Sequence, residues 1–404
     1  MKDATIPAHV PPERVRDVDL YNLPGADDDV HLAWKKVQDE NPDIFYTPRY
    51  GGYWIVTRAS LLDQIWPDHE RFSSRHISIP RIEGAAPQLP IETDPPVHQH
   101  FRAPVSVALS PKAVRILTDR ARALAIELIE RLRPKGGCEF VHEFAAHLPM
   151  EIFLSIVDLP SKDREWLIAR AEIMTRGGKV EDKQRALQEI FGYLEEWIRQ
   201  RREHPGEDLL SRILQIRIGD RPITHEEALS ECALVLFGGL DTVAGTMGFI
   251  ARFLARNPEH RRLLARQPDL IPHAVEELLR RHSIPTISRV LTRDVTIGGV
   301  TMKAGDFVQL TTVFHGLDER AWPRPLEVDF GRDVREHMAF GKGVHKCPGS
   351  NLARSEIRVF LEEWLKRIPE FSIAPGDRSV TATGAVAGVL HLPLVWPTEA
   401  GPVS

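Results

Sequence analysis

One cysteine lies in a loop that is rich in glycine, residues 340–349 (FGKGVHKCPG). We call this segment the cysteine loop. Its three glycines let the backbone pass close to a flat or bulky group. Cys347 comes just before a predicted helix that begins near Gly349, where backbone amides and the helix dipole favour a thiolate. A lone thiolate can serve as the axial ligand of a haem iron.

The cysteine loop by itself leaves other roles open. A lone cysteine is often a small buried apolar side chain. His345 and Cys347 could form half of a zinc site, but no second pair of Cys or His follows at ligand spacing. A cysteine hydrolase would need a base oriented by a third group, and the sequence does not place one.

A second group of candidates lies inside a long predicted helix. Thr224 and Glu227 form a capping-box pattern, and no proline interrupts the apolar pattern before Asn257, so we expect one helix about 50 Å long. Two adjacent glycines, Gly238 and Gly239, each cost such a helix about 1 kcal/mol relative to alanine. Close approach of a flat cofactor, with local loosening that admits dioxygen and water, would offset this cost. A helix crossing at small residues is the alternative.

Asp241 and Thr242 follow these glycines directly. An acid next to an alcohol can pass protons from solvent to a substrate. In that interpretation Thr242 hydrogen-bonds dioxygen and Asp241 relays protons. An aspartate that simply faces solvent is the alternative.

Basic residues supply a third pattern. His98 and Arg102 are spaced i, i+4 on a helix that Asp94 would cap, so their side chains share a face. Arg289 lies in a strand-like segment, and His345 precedes Cys347 by two residues. The guanidinium group of arginine can bind a carboxylate through two parallel hydrogen bonds, so these residues could bind a ligand that carries carboxylates. Each of them alone could also be a solvated charge.

Composition predicts one large, helix-rich α+β unit. The chain has 404 residues, 42% hydrophobic and 27% charged, with no linker or repeat, so we treat residues 1–404 as one domain and residues 1–18 as a flexible extension. Strands are expected at 53–57, within 287–310 and within 386–395. Helices are expected at 60–66, 111–133 and 179–204, and an ordered loop at 78–91.

Partners and compartment are limited by charge and cysteine usage. The net charge of −5 disfavours a general nucleic-acid binder. The three cysteines (Cys138, Cys232 and Cys347) form no paired motif, which suits a reducing compartment such as the cytoplasm. The first residues lack the apolar core of a signal peptide, and no run approaches the roughly 20 apolar residues of a membrane span, so no membrane attachment is expected.

The motifs together resemble the cytochrome P450 family. The cysteine loop meets every fixed position of the haem-binding pattern Phe-Gly-x-Gly-x-His-x-Cys-x-Gly. Residues 238–242 are similar to the distal-helix signature (Ala/Gly)-Gly-x-(Asp/Glu)-Thr, and Glu277 and Arg280 match Glu-x-x-Arg. The resemblance covers nearly the whole chain. It implies a triangular, mainly helical prism with a small β region, and haem b buried between a distal and a proximal helix.

The resemblance also implies an activity and roles for residues. The family inserts one oxygen atom of O2 into a C–H bond, with electrons from NAD(P)H through a reductase and a 2Fe–2S ferredoxin. Cys347 would be the axial ligand, and Glu277, Arg280 and Arg332 a structural set. The remaining haem contacts would be Phe340, Gly238, Gly239 and Gly349, with His98, Arg102, Arg289 and His345 at the propionates. The ferredoxin would dock on the proximal face at basic residues Arg102, Lys342, Lys346, Arg354 and Arg358.

Within the family, the chain looks most like the bacterial camphor monooxygenase group. Those enzymes hold the substrate ketone with a tyrosine, and Ala86 stands at that position here. The other matching pocket positions are apolar too: Ile77, Ile91, Leu234, Phe237, Pro285, Ile287 and Val386. A compact hydrophobic substrate, such as a cyclic monoterpenoid or norisoprenoid, is therefore expected. The same likeness pairs Asp241 with Arg176.

Several alternatives remain at this stage. Ordinary core packing could explain the apolar positions. The chain could be a camphor hydroxylase despite Ala86, a peroxide-driven or nitric oxide reducing enzyme, or a non-catalytic haem-thiolate gas sensor. Asp241 and Thr242 speak against the peroxide-driven type, which tends to replace this pair.

Overall fold

The computed structural model describes residues 5–80, 87–175, 180–334 and 336–398. Helices dominate these ranges, as predicted. Their bounds are α1 Ala26–Glu40, α2 Ala59–Ile65, α3 Val97–Ala108, α4 Pro111–Leu132, α5 His147–Ile156, α6 Arg164–Thr175, α7 Val180–Glu203, α8 Leu209–Ile213, α9 His225–Arg256, α10 Pro258–Arg266, α11 Ile271–Arg281, α12 Thr312–Gly316 and α13 Ser350–Arg367.

The β structure is small and is spread along the chain, with its longest strands between residues 286 and 311. A five-stranded sheet has the order β1-β2-β10-β7-β3, and only its β2–β10 pair is parallel. The order in a three-stranded sheet is β11-β14-β4, and three hairpins complete the set. The strands are β1 Ile44–Thr47, β2 Tyr53–Val56, β3 Phe72–Ser73, β4 Gly137–Glu139, β5 Arg217–Ile218, β6 Arg221–Pro222, β7 Thr286–Leu291, β8 Val295–Ile297, β9 Val300–Met302, β10 Phe307–Thr311, β11 Ser372–Ile373, β12 Val380–Ala382, β13 Gly388–His391 and β14 Pro393–Val395.

Helix α9 is the long helix that the capping box predicts. Thr224 accepts a hydrogen bond from the Glu227 amide, and the Glu227 carboxylate accepts one from the Thr224 amide. The helix runs without a break through Gly238 and Gly239 and contacts α5, α7, α10 and α13. By length and composition it could cross a bilayer, but 62% of its apolar stretch is buried inside the protein. This burial is typical of a core helix.

The proximal helix α13 is held by an aromatic cluster. Phe140, Phe144 and Phe360 pack around Trp364, with ring centroids 5.0 to 6.0 Å from it. These rings join α13 to the segment between α4 and α5, and α13 also packs along α4. Because aromatic rings bury large areas in defined geometries, the cluster fixes the position of α13, the helix that follows the cysteine loop.

One expectation about local structure is wrong. Pro96 occupies the N-cap position of α3, and the Asp94 carboxylate instead accepts hydrogen bonds from the Ser74 amide at 2.9 Å and from the Ser73 hydroxyl. The two residues after Asp94 are prolines, so neither offers an N–H to a capping side chain. Within the expected flexible extension, Val10 is buried and the Arg16 amide donates to the Tyr46 carbonyl.

The predicted loop 78–91 is described except for residues 81–86. Its second half is tied to α9 through Ser230, whose hydroxyl donates to the Pro87 carbonyl at 2.6 Å and accepts from the Leu89 amide at 3.1 Å. Leu89 packs into the core cluster formed around α7, α8 and α9. The loop is therefore anchored to the long helix.

Next to Ser230, Glu231 is a buried acid without a partner. Neither carboxyl oxygen has a hydrogen-bond partner within the described part of the chain, and the residue is fully buried. Burial raises its pKa from 4.5 to about 9, because a charged carboxylate is costly in an apolar surrounding. The folded protein therefore keeps Glu231 protonated at neutral pH.

Glu231→Gln should remove a pH-dependent cost of folding. Between pH 4.5 and 9 the unfolded chain ionises Glu231 while the folded chain does not, so wild-type stability falls as pH rises, by at most about 1.4 kcal/mol per pH unit. Melting temperatures measured from pH 5 to 9 should decline less steeply for the variant. Glu195→Gln, on an exposed position of α7, is the control; equal slopes in all three proteins would contradict the assignment.

Candidate functional site

The cysteine loop packs against the end of helix α2. Gly341 and Gly343 have φ angles of 66° and 70°, which favour glycine. A Cβ on Gly341 would lie 2.7 Å from Nε1 of Trp66, and one on Gly343 would lie 2.7 Å from Cα of Pro67. The bulky group expected beside these glycines is thus in part the protein's own Trp66 and Pro67, which the sequence does not single out.

Cys347 lies where the loop turns into α13. Its amide donates to the Phe340 carbonyl at 2.9 Å, which closes the loop, and its Sγ lies 3.8 Å from the Cβ position of Gly349, the N-cap of α13. Burial raises the pKa of the thiol, although the Gly349 amide, Arg102 and Arg354 lower it. The Gly349 amide acts in the direction that the sequence predicts, but burial outweighs it; a metal ion at the sulfur would deprotonate the thiol.

The four basic residues His98, Arg102, Arg289 and His345 converge near the cysteine loop; we call them the basic cluster. The rings of His98 and His345 lie 4.3 Å apart. Arg102 donates to the carbonyl of Lys346, next to Cys347, and Arg289 is almost fully buried on β7.

Three members of the basic cluster have buried nitrogen atoms without a partner. Nε2 of His98, Nε2 of His345 and one Nη of Arg289 are buried and have no hydrogen-bond partner among the described residues. Burial, then Arg289, His98 and Arg102, lower the pKa of His345 to about 2. Burial and Arg102 lower the pKa of His98 to about 4. Buried donors without partners are costly, so this cluster fits an anionic ligand.

Haem b fits this arrangement. It has two carboxylates for the unpartnered donors of the basic cluster, and its iron would take the sulfur of Cys347. His69, which the sequence analysis missed, belongs to the same place: its buried Nδ1 also lacks a partner in the described ranges, and it lowers the pKa of His98 and His345. A lone histidine in a polar segment offers no pattern that would reveal this.

Helix α9 has an open face at its two glycines. A Cβ on Gly238 or Gly239 would meet nothing within 4 Å. The Thr242 hydroxyl donates to the Gly238 carbonyl at 2.8 Å, and Thr246 makes the same bond to the Thr242 carbonyl at 2.7 Å. The side chain of Asp241 and all of Arg176 lie outside the described residues, so their expected pairing stays a prediction.

The expected substrate positions share one property. All those that the structure describes are partly exposed, although Phe237, Ile287 and Val386 also pack against the core clusters. Pro285 and Val386 form an isolated antiparallel β-bridge. Ala86 lies outside the described residues. The partly exposed positions are Ile77, Ile91, Leu234, Phe237, Pro285, Ile287 and Val386.

Glu277, Arg280 and Arg332 meet in the interior. The Arg280 guanidinium donates to both Glu277 oxygens, at 2.7 and 2.8 Å, and Arg332 donates to one of them at 3.1 Å. Both side chains of the first pair are fully buried. Arg280 also donates to the carbonyls of Gly316 and Pro325. The set therefore ties α11 to the segments that follow β10.

The expected basic face is largely neutralised. Lys342 pairs with Asp63, Arg354 with Glu276, and Arg358 lies 3.4 Å from Glu362. Lys346 is exposed, as is its neighbour Val344, at 38%. Ion pairs of this kind cancel much of the field that would steer a partner.

The zinc alternative has no support in the described part of the chain. There, no group of three or more His, Cys, Asp or Glu side chains is arranged to hold a metal ion. Structural zinc requires four such ligands.

Comparisons with known proteins agree with this geometry. A model of the family "Cytochrome P450" matches residues 172–267 and 266–390. A "Probable cytochrome P450 127A1" from Sinorhizobium fredii is 36% identical and is matched over 98% of each chain. The solved structure of CYP101J2 is 39% identical, with a TM-score of 0.88, over 98% of this chain and 100% of that one. For CYP101C1 the identity is 42% and the TM-score 0.89, over 97% and 100%.

Gly341→Ala should disturb the cysteine loop more than a glycine change elsewhere. The new Cβ would collide with Trp66 in addition to straining the backbone. Gly376→Ala is the matched control, because Gly376 has a φ of 82° but open space around it, so it costs only about 1 kcal/mol of backbone strain. We expect a lower melting temperature and less bound haem for Gly341→Ala; equal losses in both variants would show that Trp66 does not constrain the loop.

Proposed function

Since the chain belongs to the cytochrome P450 family, we propose that it hydroxylates a compact apolar substrate with electrons from NAD(P)H delivered through a 2Fe–2S ferredoxin. Membership establishes a haem-thiolate monooxygenase of bacterial type. The proposal treats residues 1–404 as one cytoplasmic domain. The observation that supports it most is the set of buried, unpartnered nitrogen atoms of His98, Arg289 and His345 near Cys347.

Cys347 is the proposed axial ligand, and the basic cluster the proposed propionate site. Haem, when bound, supplies the activation of dioxygen and its transfer to a C–H bond. The chain's own part is to orient the group: His98, Arg289 and His345 present buried donors on one side, and the cysteine loop presents the sulfur. Glu277, Arg280 and Arg332 keep the surrounding segments in place.

Thr242 is the proposed proton donor of the distal side. Its hydroxyl bonds the Gly238 carbonyl, a weak local bond that it can exchange for one to a substrate on the open face of α9. Asp241 would then pass protons to it from solvent. This assignment agrees with the partial exposure of Thr242.

Thr242→Ala should uncouple electron use from product formation. Without the hydroxyl, protons reach dioxygen unselectively, so we expect product per NADH consumed to fall by up to about a hundredfold, the lower end of the range for loss of a general acid. Thr246→Ala is the matched control, because Thr246 makes the same bond one turn later but is buried. Unchanged coupling in Thr242→Ala would contradict the assignment.

The substrate is proposed to be a cyclic monoterpenoid or norisoprenoid. The seven partly exposed apolar side chains offer shape and burial, and Ala86 supplies no hydroxyl for a ketone. Burial of apolar area alone, at about 25 cal/mol per Å², supports binding of compact hydrophobic molecules.

A titration panel tests both the reaction and the substrate. Terpenoids should shift the haem spin state, and the best of them should be hydroxylated when NADH, a ferredoxin reductase and a ferredoxin are added. Camphor should shift it only partly. A near-complete shift with camphor would contradict the substrate class, and tight binding without NADH-dependent product would favour a sensor.

The ferredoxin is proposed to dock on the face that presents Lys346, Arg102 and Val344. Three of the five expected cations are already paired with carboxylates. The contact would therefore depend on fit and apolar area more than on long-range attraction.

A further inference from the structure

Glu276 stands beside Glu277 on α11 but belongs to a different set of contacts. Its carboxylate accepts two hydrogen bonds from Arg354 on α13, from Nε at 2.7 Å and from Nη2 at 2.9 Å. Such a fork–carboxylate pair is directional as well as strong. Glu276 and Arg354 are each about a quarter to a third exposed, at 26% and 29%.

His337 completes this anchor. Its Nε2 lies 2.9 Å from the second Glu276 oxygen, and its Nδ1 accepts a hydrogen bond from the Ala339 amide. The neutral ring must therefore hold its proton on Nε2 and donate it to Glu276. Although burial raises the pKa of Glu276, the bonds from His337 and Arg354 bring it down to about 2, so the carboxylate is ionised.

Arg354 reaches from this anchor to the cysteine loop. Its guanidinium carbon lies 4.5 Å from the centre of the Phe340 ring, within cation–π range. The Phe340 carbonyl in turn accepts the hydrogen bond of the Cys347 amide at 2.9 Å. A continuous chain of contacts thus runs from Glu276 through Arg354 and Phe340 to Cys347. It is separate from the buried contacts around Glu277.

We propose that Arg354, anchored by Glu276 and His337, is a positioning residue that keeps Phe340 and the cysteine loop in the geometry in which Cys347 ligates the haem iron. This inference rests on the proposed function of Cys347. Arginine suits the role because its planar guanidinium group can stack on an aromatic ring while its N–H groups donate two hydrogen bonds to a carboxylate. Lysine keeps the charge but can do neither in the same way.

Arg354→Lys tests the role in the haem-loaded protein. The readout is the absorption band of the reduced, CO-bound protein, which has different positions with and without a thiolate ligand. We measure how fast the band of the thiolate-ligated form is lost in mild urea. We expect Arg354→Lys to lose the thiolate band about ten times faster than wild type, because this substitution removes both the forked hydrogen bonds to Glu276 and the contact with the Phe340 ring. The rate for Glu276→Gln should lie between that of Arg354→Lys and that of wild type.

Arg367→Lys is the matched control. Arg367 lies on the same helix, far along α13 from the loop, and pairs with Glu363 and Glu130. The rate for Arg367→Lys should stay within about twofold of wild type, because substitutions at distant sites without shared contacts act independently. Should Arg354→Lys fail to fold, Glu276→Gln, which keeps Arg354 in place, provides the same comparison.

Two results would overturn the inference alone. One is a wild-type rate in Arg354→Lys and in Glu276→Gln. The other is an equal acceleration in Arg367→Lys, which would indicate a general loosening of α13. A wild-type protein that lacks the thiolate band would overturn the proposed function and the inference with it.

Discussion

The constraint on which the site depends is the burial of basic nitrogen atoms that have no partner. Arg289, His98 and His345 each have a buried nitrogen without a hydrogen-bond partner among the described residues. Burial lowers the pKa of all three, and neighbouring basic side chains lower those of the two histidines further. Burying such groups without a partner is unfavourable, and an anionic ligand bound at this place would remove much of that cost. The carboxylates of haem would provide this negative charge, so cofactor binding and folding of this region are expected to be coupled.

The same logic separates two kinds of acid in this protein. Glu277 and Glu276 are adjacent, and each is paired with an arginine in a network of directed hydrogen bonds. Glu231 has no such partner and stays protonated. Adjacent positions on a helix point in directions 100° apart, so α11 can serve both the interior and the cysteine loop at once.

The cysteine loop is shaped from three sides. Trp66 and Pro67 leave no room for a side chain on two of its glycines, α13 receives the chain at Gly349, and Arg354 covers Phe340. A single sulfur must be held in one place for ligation, and a loop has little rigidity of its own. Its neighbours supply that rigidity.

The sequence by itself determined the chemistry and the main elements. A capping box, an unbroken apolar pattern and a cysteine among glycines are local signals, so α9, α13 and the family could be predicted from them. The Glu277–Arg280 pair was visible for the same reason, since i, i+3 spacing sets its geometry.

Only the tertiary structure decided what depends on neighbours distant in sequence. Asp94 bonds Ser73 and Ser74 instead of capping α3, and His69 joins the basic cluster without any motif. Burial outweighs the helix end in setting the pKa of Cys347. Two of the three paired cations of the proximal face are another case, because their partners Asp63 and Glu276 lie far away along the chain. Burial and pairing are properties of the packed molecule, and a local pattern of residue types does not contain them.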